Sequence, residues 1–160
     1  MNVRKATLWR IPVYYLAAST VGFYVLVFLY AAFCVKPTVG PDGVANAAVN
    51  EVLTTVIGLA VVAGVLCLGG VWLCRKMTRK EVALSAGLLT AVYLLWVGSE
   101  LLFPGWDATL GIAAYFMSLN AEVGGLLARF IGSPAAGLIS CFTPMLFVCF
   151  GRKTLPEASN

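Results

Sequence analysis

The chain has 160 residues, of which 61% are hydrophobic and 11% charged, and its net charge is +4. A soluble domain carries about 25% charged residues, so a water-soluble globular core is excluded and one integral membrane domain over 1–160 is expected. The basic residues gather beside apolar runs, as they do in cytoplasmic loops that set membrane orientation, so no nucleic-acid partner is expected.

Arg4, Lys5 and Arg10 precede the first apolar run, 11–35. That run is far longer than the ~7–15 residues of a signal-peptide core. In 31-AAFC-34 the bulky Phe33 stands where a lipoprotein cleavage box wants a small residue. The run is therefore read as a permanent span, with Pro12 in its first turn, where a missing N–H costs nothing. The stretch 36-KPTVGPDG-43 reads as turns.

A second helix is expected from about Val44, its membrane part covering 53–74. Asn46, Asn50 and Thr54 recur every four residues and would share one face. Ala60, Ala63, Gly64, Cys67, Gly70 and Cys74 form a stripe of small residues, the pattern that lets helix backbones approach closely. The loop 75-RKMTRKE-81 is short, so the third span, 82–103, returns antiparallel and ends at 103-FPGW-106, an interfacial turn.

The segment 107–131 decides the topology. Asp107, Gly111, Ala114, Ser118, Glu122, Gly125 and Arg129 follow helical spacing and form one small, polar stripe. Ile112, Tyr115, Phe116, Leu119, Val123, Leu126 and Phe130 form the opposite, bulky face, and Asn120 falls at its edge. The polar face is rich in Ala and Gly and not in Lys or Arg, unlike that of a helix that only lies on a membrane. An amphipathic or re-entrant helix docked on the outer side of the bundle is expected, with its bulky face toward lipid; the alternative is a fifth span. The last span, 134–150, follows a turn at 132–134 and contains Pro144, which predicts a kink.

With four spans and both termini inside, nine basic residues lie on the cytoplasmic side and two, Lys36 and Arg129, outside. Five spans give eight against three, so the positive-inside rule favours four by one residue. The expected fold class is an all-α, polytopic helical bundle of four transmembrane helices plus the amphipathic helix, in the plasma membrane. The outer side then holds Asp42, Glu51, Glu100, Asp107 and Glu122 against those two basic residues, a mouth suited to cations or zwitterions.

Ionisable groups at membrane depth usually mark binding sites or relays. Glu100, Glu122 and Arg129 are the leading ligand-binding or proton-coupling candidates, with Asn120, Asp107, Glu51 and Asn50 beside them. Against this stand plain structural roles: Glu100 reaching interfacial water, Glu122 pairing with Arg129. The chain has no His and no CxxC among Cys34, Cys67, Cys74, Cys141 and Cys149, so no catalytic residue, metal or cofactor is expected. Lipoprotein signal peptidases share this size and span number but need two catalytic Asp. Here Asp42 and Asp107 both lie in turns, outside that family's motifs. The expectation is a non-enzymatic protein that binds a lipid, a small solute or a membrane partner through a polar outer cleft. A small oligomeric transporter of a cationic or zwitterionic solute is the alternative, and a membrane-embedded enzyme is less favoured. The partners expected are membrane lipids, a second copy of the chain or another membrane protein.

Overall fold

The computed structural model describes residues 5–39, 45–102 and 110–152. A short helix α1 (Lys5–Leu8) leads into α2 (Arg10–Leu29), which continues as a π-helical turn, Tyr30–Cys34. Strands β1 (Val35–Val39) and β2 (Ala45–Val49) pair antiparallel, Val35 opposite Val49. Helices α3 (Glu51–Trp72), α4 (Arg79–Leu102), α5 (Leu110–Ile131) and α6 (Ser133–Ser140) follow, and a 3-10 helix, Thr143–Phe150, completes the described chain.

Four helices among the described residues are long and apolar enough to cross a membrane: Arg10–Cys34, Glu51–Lys76, Arg79–Ser99 and Ser133–Phe150. They match the four expected spans to within a few residues. The helix from Val44 does not form. Residues 45–49 are the return strand of a hairpin, closed by Asn50 N–H donating to Cys34 O at 2.9 Å. Asn50 then stops the strand, because its side chain accepts from Leu53 N–H at 3.1 Å and caps α3. Asn46 therefore sits on β2, not on a helical face with Asn50 and Thr54.

The third span begins earlier than expected, at Arg79. Thr78 N–H donates to Glu81 Oε2 at 2.9 Å, and Glu81 N–H donates back to Thr78 Oγ1 at 3.3 Å. This reciprocal capping box draws Arg79, Lys80 and Glu81 out of the loop and into α4.

The last span is broken, not merely bent, at Cys141–Phe142, and Pro144 opens the 3-10 helix. A 3-10 helix rises about 2.0 Å per residue against about 1.5 Å in an α-helix. Winding its second half more tightly, with a greater rise per residue, lengthens the segment 133–150 toward the ~30 Å of a hydrocarbon core.

The packing face of α3 keeps the last two residues of the expected small-residue stripe and departs from the rest. Gly70 and Cys74 are buried together with Gly58, Val62 and Gly69, whereas Ala60, Ala63, Gly64 and Cys67 face outward. Tyr14 and Phe147 lie against Gly69, and Phe150 against Gly70, in space that a Cβ would fill. The core is built around Tyr15, Phe147, Ile11, Leu89, Tyr93 and Leu119. Tyr15 and Phe147 meet edge to face at 6.2 Å.

One end of the bundle collects the basic residues. Thr7 Oγ1 donates to Glu81 Oε1 at 3.4 Å, which ties the N-terminal helix to the start of α4. Arg79 N–H donates to Arg152 O, and Arg152 N–H to Met77 O, which tie the chain after the last span to the same loop. Arg10, Arg75, Lys76, Arg79, Lys80 and Arg152 thus share one end, and the β-hairpin and Glu51 mark the other.

Candidate functional site

Helix α5 positions the site. It packs chiefly on α6 and α2, with α3 along a third side. Gly132, at φ 83°, is the one residue of positive φ among those described, and it turns the chain from α5 into α6. Where the two helices pass, Gly124 lies 3.3 to 3.5 Å from the Ser140 side chain, measured from its would-be Cβ.

The expected division of α5 into a protein face and a lipid face is corrected at its middle. Ser118, Leu119 and Asn120 are consecutive and all buried. Three successive residues point in three directions about a helix, so α5 is enclosed there by its neighbours. Ser118 Oγ donates to Ser19 O at 2.6 Å, near the middle of α2. Leu119 meets Gly22. Tyr93 on α4 donates to Phe116 O at 2.9 Å. Helix α5 therefore enters the bundle to mid-depth instead of lying across its end. Phe116 and Phe130, on the bulky face, keep outward positions.

Near the hairpin end, α3 and α5 enclose a cavity of about 230 Å³. Glu122, Gly125 and Arg129 line one wall, and Thr54 and Thr55 line the other. Glu122 is half-buried, and its carboxylate accepts a hydrogen bond from the Tyr30 hydroxyl at 2.7 Å. Tyr30 is the first residue of the π-helical turn, a distortion frequent at functional sites. Gly58 on α3 lies directly beneath this pair; a Cβ there would meet the Glu122 carboxylate and the Tyr30 hydroxyl. The cavity thus offers a fixed carboxylate, a guanidinium and two hydroxyls.

Glu122 and Arg129 line the same cavity. Asn50 and Glu51 stand just above, on the exposed first turn of α3, where Asn50 serves as the cap and Glu51 O accepts from Thr55 Oγ1. Asn120 is placed elsewhere: it is 1% exposed, and its side-chain oxygen accepts from Tyr15 at 2.6 Å within the core. Asp107 and the side chain of Glu100 lie outside the described residues. Tyr30, Thr55 and Gly58 were not among the candidates. The four-residue spacing from Asn50 through Thr54 to Gly58 was the available signal for the α3 wall. Tyr30 offered none, because its partner is 92 positions away.

Among the described residues, three buried polar atoms find no hydrogen-bond partner: Ser19 Oγ on α2, Thr90 Oγ1 on α4 and Asn120 Nδ2 on α5. A buried amide end without a partner costs about 1–3 kcal/mol. Turning the Asn120 amide over leaves its oxygen without a partner instead, since the Tyr15 hydroxyl can donate or accept. Comparison with family models, curated proteins and solved structures found no match.

Proposed function

We propose that the chain is a four-span membrane protein with its basic end in the cytoplasm, and that the α3–α5 cavity binds a zwitterion on the outer side. The zwitterion is a lipid headgroup or a small solute bearing an ammonium and an anionic group. The observation that supports this reading is that a tyrosine-held carboxylate and a guanidinium line the same cavity wall. Glu122 and Arg129 lie two helical turns apart, about 10 Å, a separation that the long arginine side chain can shorten. The carboxylate suits the ammonium and the guanidinium suits a phosphate or carboxylate; the Thr54 and Thr55 hydroxyls, which donate to Asn50 O and Glu51 O, keep lone pairs for the ammonium. The orientation follows from the shared basic end and the positive-inside rule.

The test is calorimetric. Glycerophosphoethanolamine is titrated into the purified protein, and phosphatidylethanolamine is compared with phosphatidylcholine in nanodiscs by thermal shift. Glu122→Gln and Arg129→Gln should each weaken binding about tenfold or more, the usual worth of a charged hydrogen bond. Binding of the soluble compound identifies a solute site, and stabilisation by the lipid alone identifies a headgroup site. No response to either ends the reading.

A second reading, a small oligomeric transporter, is favoured by the partnerless polar atoms of Ser19, Thr90 and Asn120, which carry polarity from beneath the cavity into the core. The outward stripe of Ala60, Ala63, Gly64 and Cys67 suits close approach of a second copy. Uptake of a labelled zwitterion into proteoliposomes, lost in Thr90→Val, which strands no hydrogen-bond partner, would separate transport from binding.

A further inference from the structure

At the basic end, α2 and α3 diverge and leave a groove of about 790 Å³. Its mouth carries Arg10 from the first turn of α2, and Arg75 and Lys76 from the turn after α3. Among the described residues, no acidic side chain lines it. Two tryptophans flank the mouth, Trp9 and Trp72, exposed at 63% and 78%. Exposed tryptophan beside arginine at a helix end is the pattern of a membrane–water interface, where the amphipathic ring sits at headgroup level. The groove then runs inward past Val13 and Ala17 on α2 and Val71 on α3, which are apolar and outward-facing. From Arg10 to Ala17 is about 10 Å along the helix, the depth of a headgroup, a glycerol and the first carbons of an acyl chain. Its back wall is fixed, because the Tyr14 hydroxyl donates to Val65 O at 2.8 Å and Gly69 admits the Tyr14 ring.

We infer that this groove binds an anionic phospholipid of the leaflet facing the basic end, with its phosphate held by Arg10 and Arg75 and an acyl chain laid between α2 and α3. Charge complementarity selects the occupant. Guanidinium groups match phosphate oxygens in paired hydrogen bonds, and basic pockets between membrane helices suit acidic headgroups. A free phosphate would use the mouth alone and leave the apolar channel unfilled. The inference rests on the membrane placement proposed above, but it is independent of the outer cavity.

Trp9 and Trp72 supply the readout. The protein is reconstituted in phosphatidylcholine vesicles containing brominated phosphatidylglycerol or brominated phosphatidylcholine, and quenching of tryptophan fluorescence is measured. The native chain should prefer phosphatidylglycerol on the order of tenfold, as expected for two basic contacts near a headgroup. Arg10→Gln/Arg75→Gln should abolish the preference. Ala17→Phe keeps every charge but fills the channel at an outward position, and it should abolish the preference as well. Equal quenching by both lipids in the native chain overturns the inference, as does a preference retained by the arginine variant. A preference lost in the arginine variant but kept in Ala17→Phe also overturns it, because surface charge alone would then explain the selectivity.

Discussion

The Tyr30 hydroxyl donates to the Glu122 carboxylate at 2.7 Å, joining the π-helical end of α2 to the third turn from the C-terminus of α5. This contact aims the carboxylate into the cavity it shares with Arg129. Removing the hydroxyl and removing the charge should therefore have different effects. Tyr30→Phe should cost about 1.5–3 kcal/mol of stability and also weaken zwitterion binding. Glu122→Gln keeps an acceptor for Tyr30, so it should lose binding while keeping most of the stability. Thermal unfolding and calorimetry on the two variants check this; equal loss of stability in both would make Glu122 a structural group.

Gly58 is required by the same contact. Gly58→Ala places a methyl group against both the carboxylate and the tyrosine hydroxyl, and overpacking of this kind costs about 1–3 kcal/mol. Gly64, two turns further along α3, has open space around it. There the same substitution should be neutral or stabilising by up to about 1 kcal/mol, the difference in helix propensity. Melting temperatures of the two variants test this packing face of α3.

Tyr15 and Asn120 form a second pair, inside the core. Asn120→Leu leaves the Tyr15 hydroxyl without its acceptor and should cost about 1–3 kcal/mol. Tyr15→Phe together with Asn120→Leu removes both polar groups, so the double variant should be no less stable than Asn120→Leu alone. A double-mutant cycle measures the coupling, and additive losses would show that the contact carries no energy.

Gly132 has φ 83° and ψ 152°, a region open essentially to glycine alone. Gly132→Ala should therefore cost about 1–3 kcal/mol, although no atom lies within 4 Å of the added methyl group. Loss of stability in urea unfolding tests whether this backbone turn sets the α5–α6 angle.

The four helices long and apolar enough to cross a membrane were legible because apolar length is a property of local sequence. Two helix starts were legible too but were passed over: Asn50 before α3, and Thr78 with Glu81 three residues on, which is a capping box in letters. The hairpin was not legible. The segment 45-ANAAV-49 has no strong strand pattern, and its state is decided by pairing with 35–39. The helical spacing of α5 puts Glu122 and Arg129 on one stripe, and both line the cavity, but spacing alone implies one buried face. It failed at Asn120, whose partner Tyr15 is 105 positions away. Pro144 marked where the last span changes, but not that the change is a passage from α- to 3-10 winding.

Helix α5 is proposed to line an outer, water-reachable cavity that holds a zwitterion. Gly125 lines that cavity and has open space where a side chain would stand, so Gly125→Cys introduces a thiol without displacing the fold. Intact cells expressing this variant are treated with a membrane-impermeant maleimide, and labelling of the native chain is subtracted. The account predicts labelling from outside, slowed several-fold by glycerophosphoethanolamine and not slowed once Glu122→Gln is added. Labelling only in inverted vesicles, or labelling that the zwitterion leaves unchanged, would contradict it.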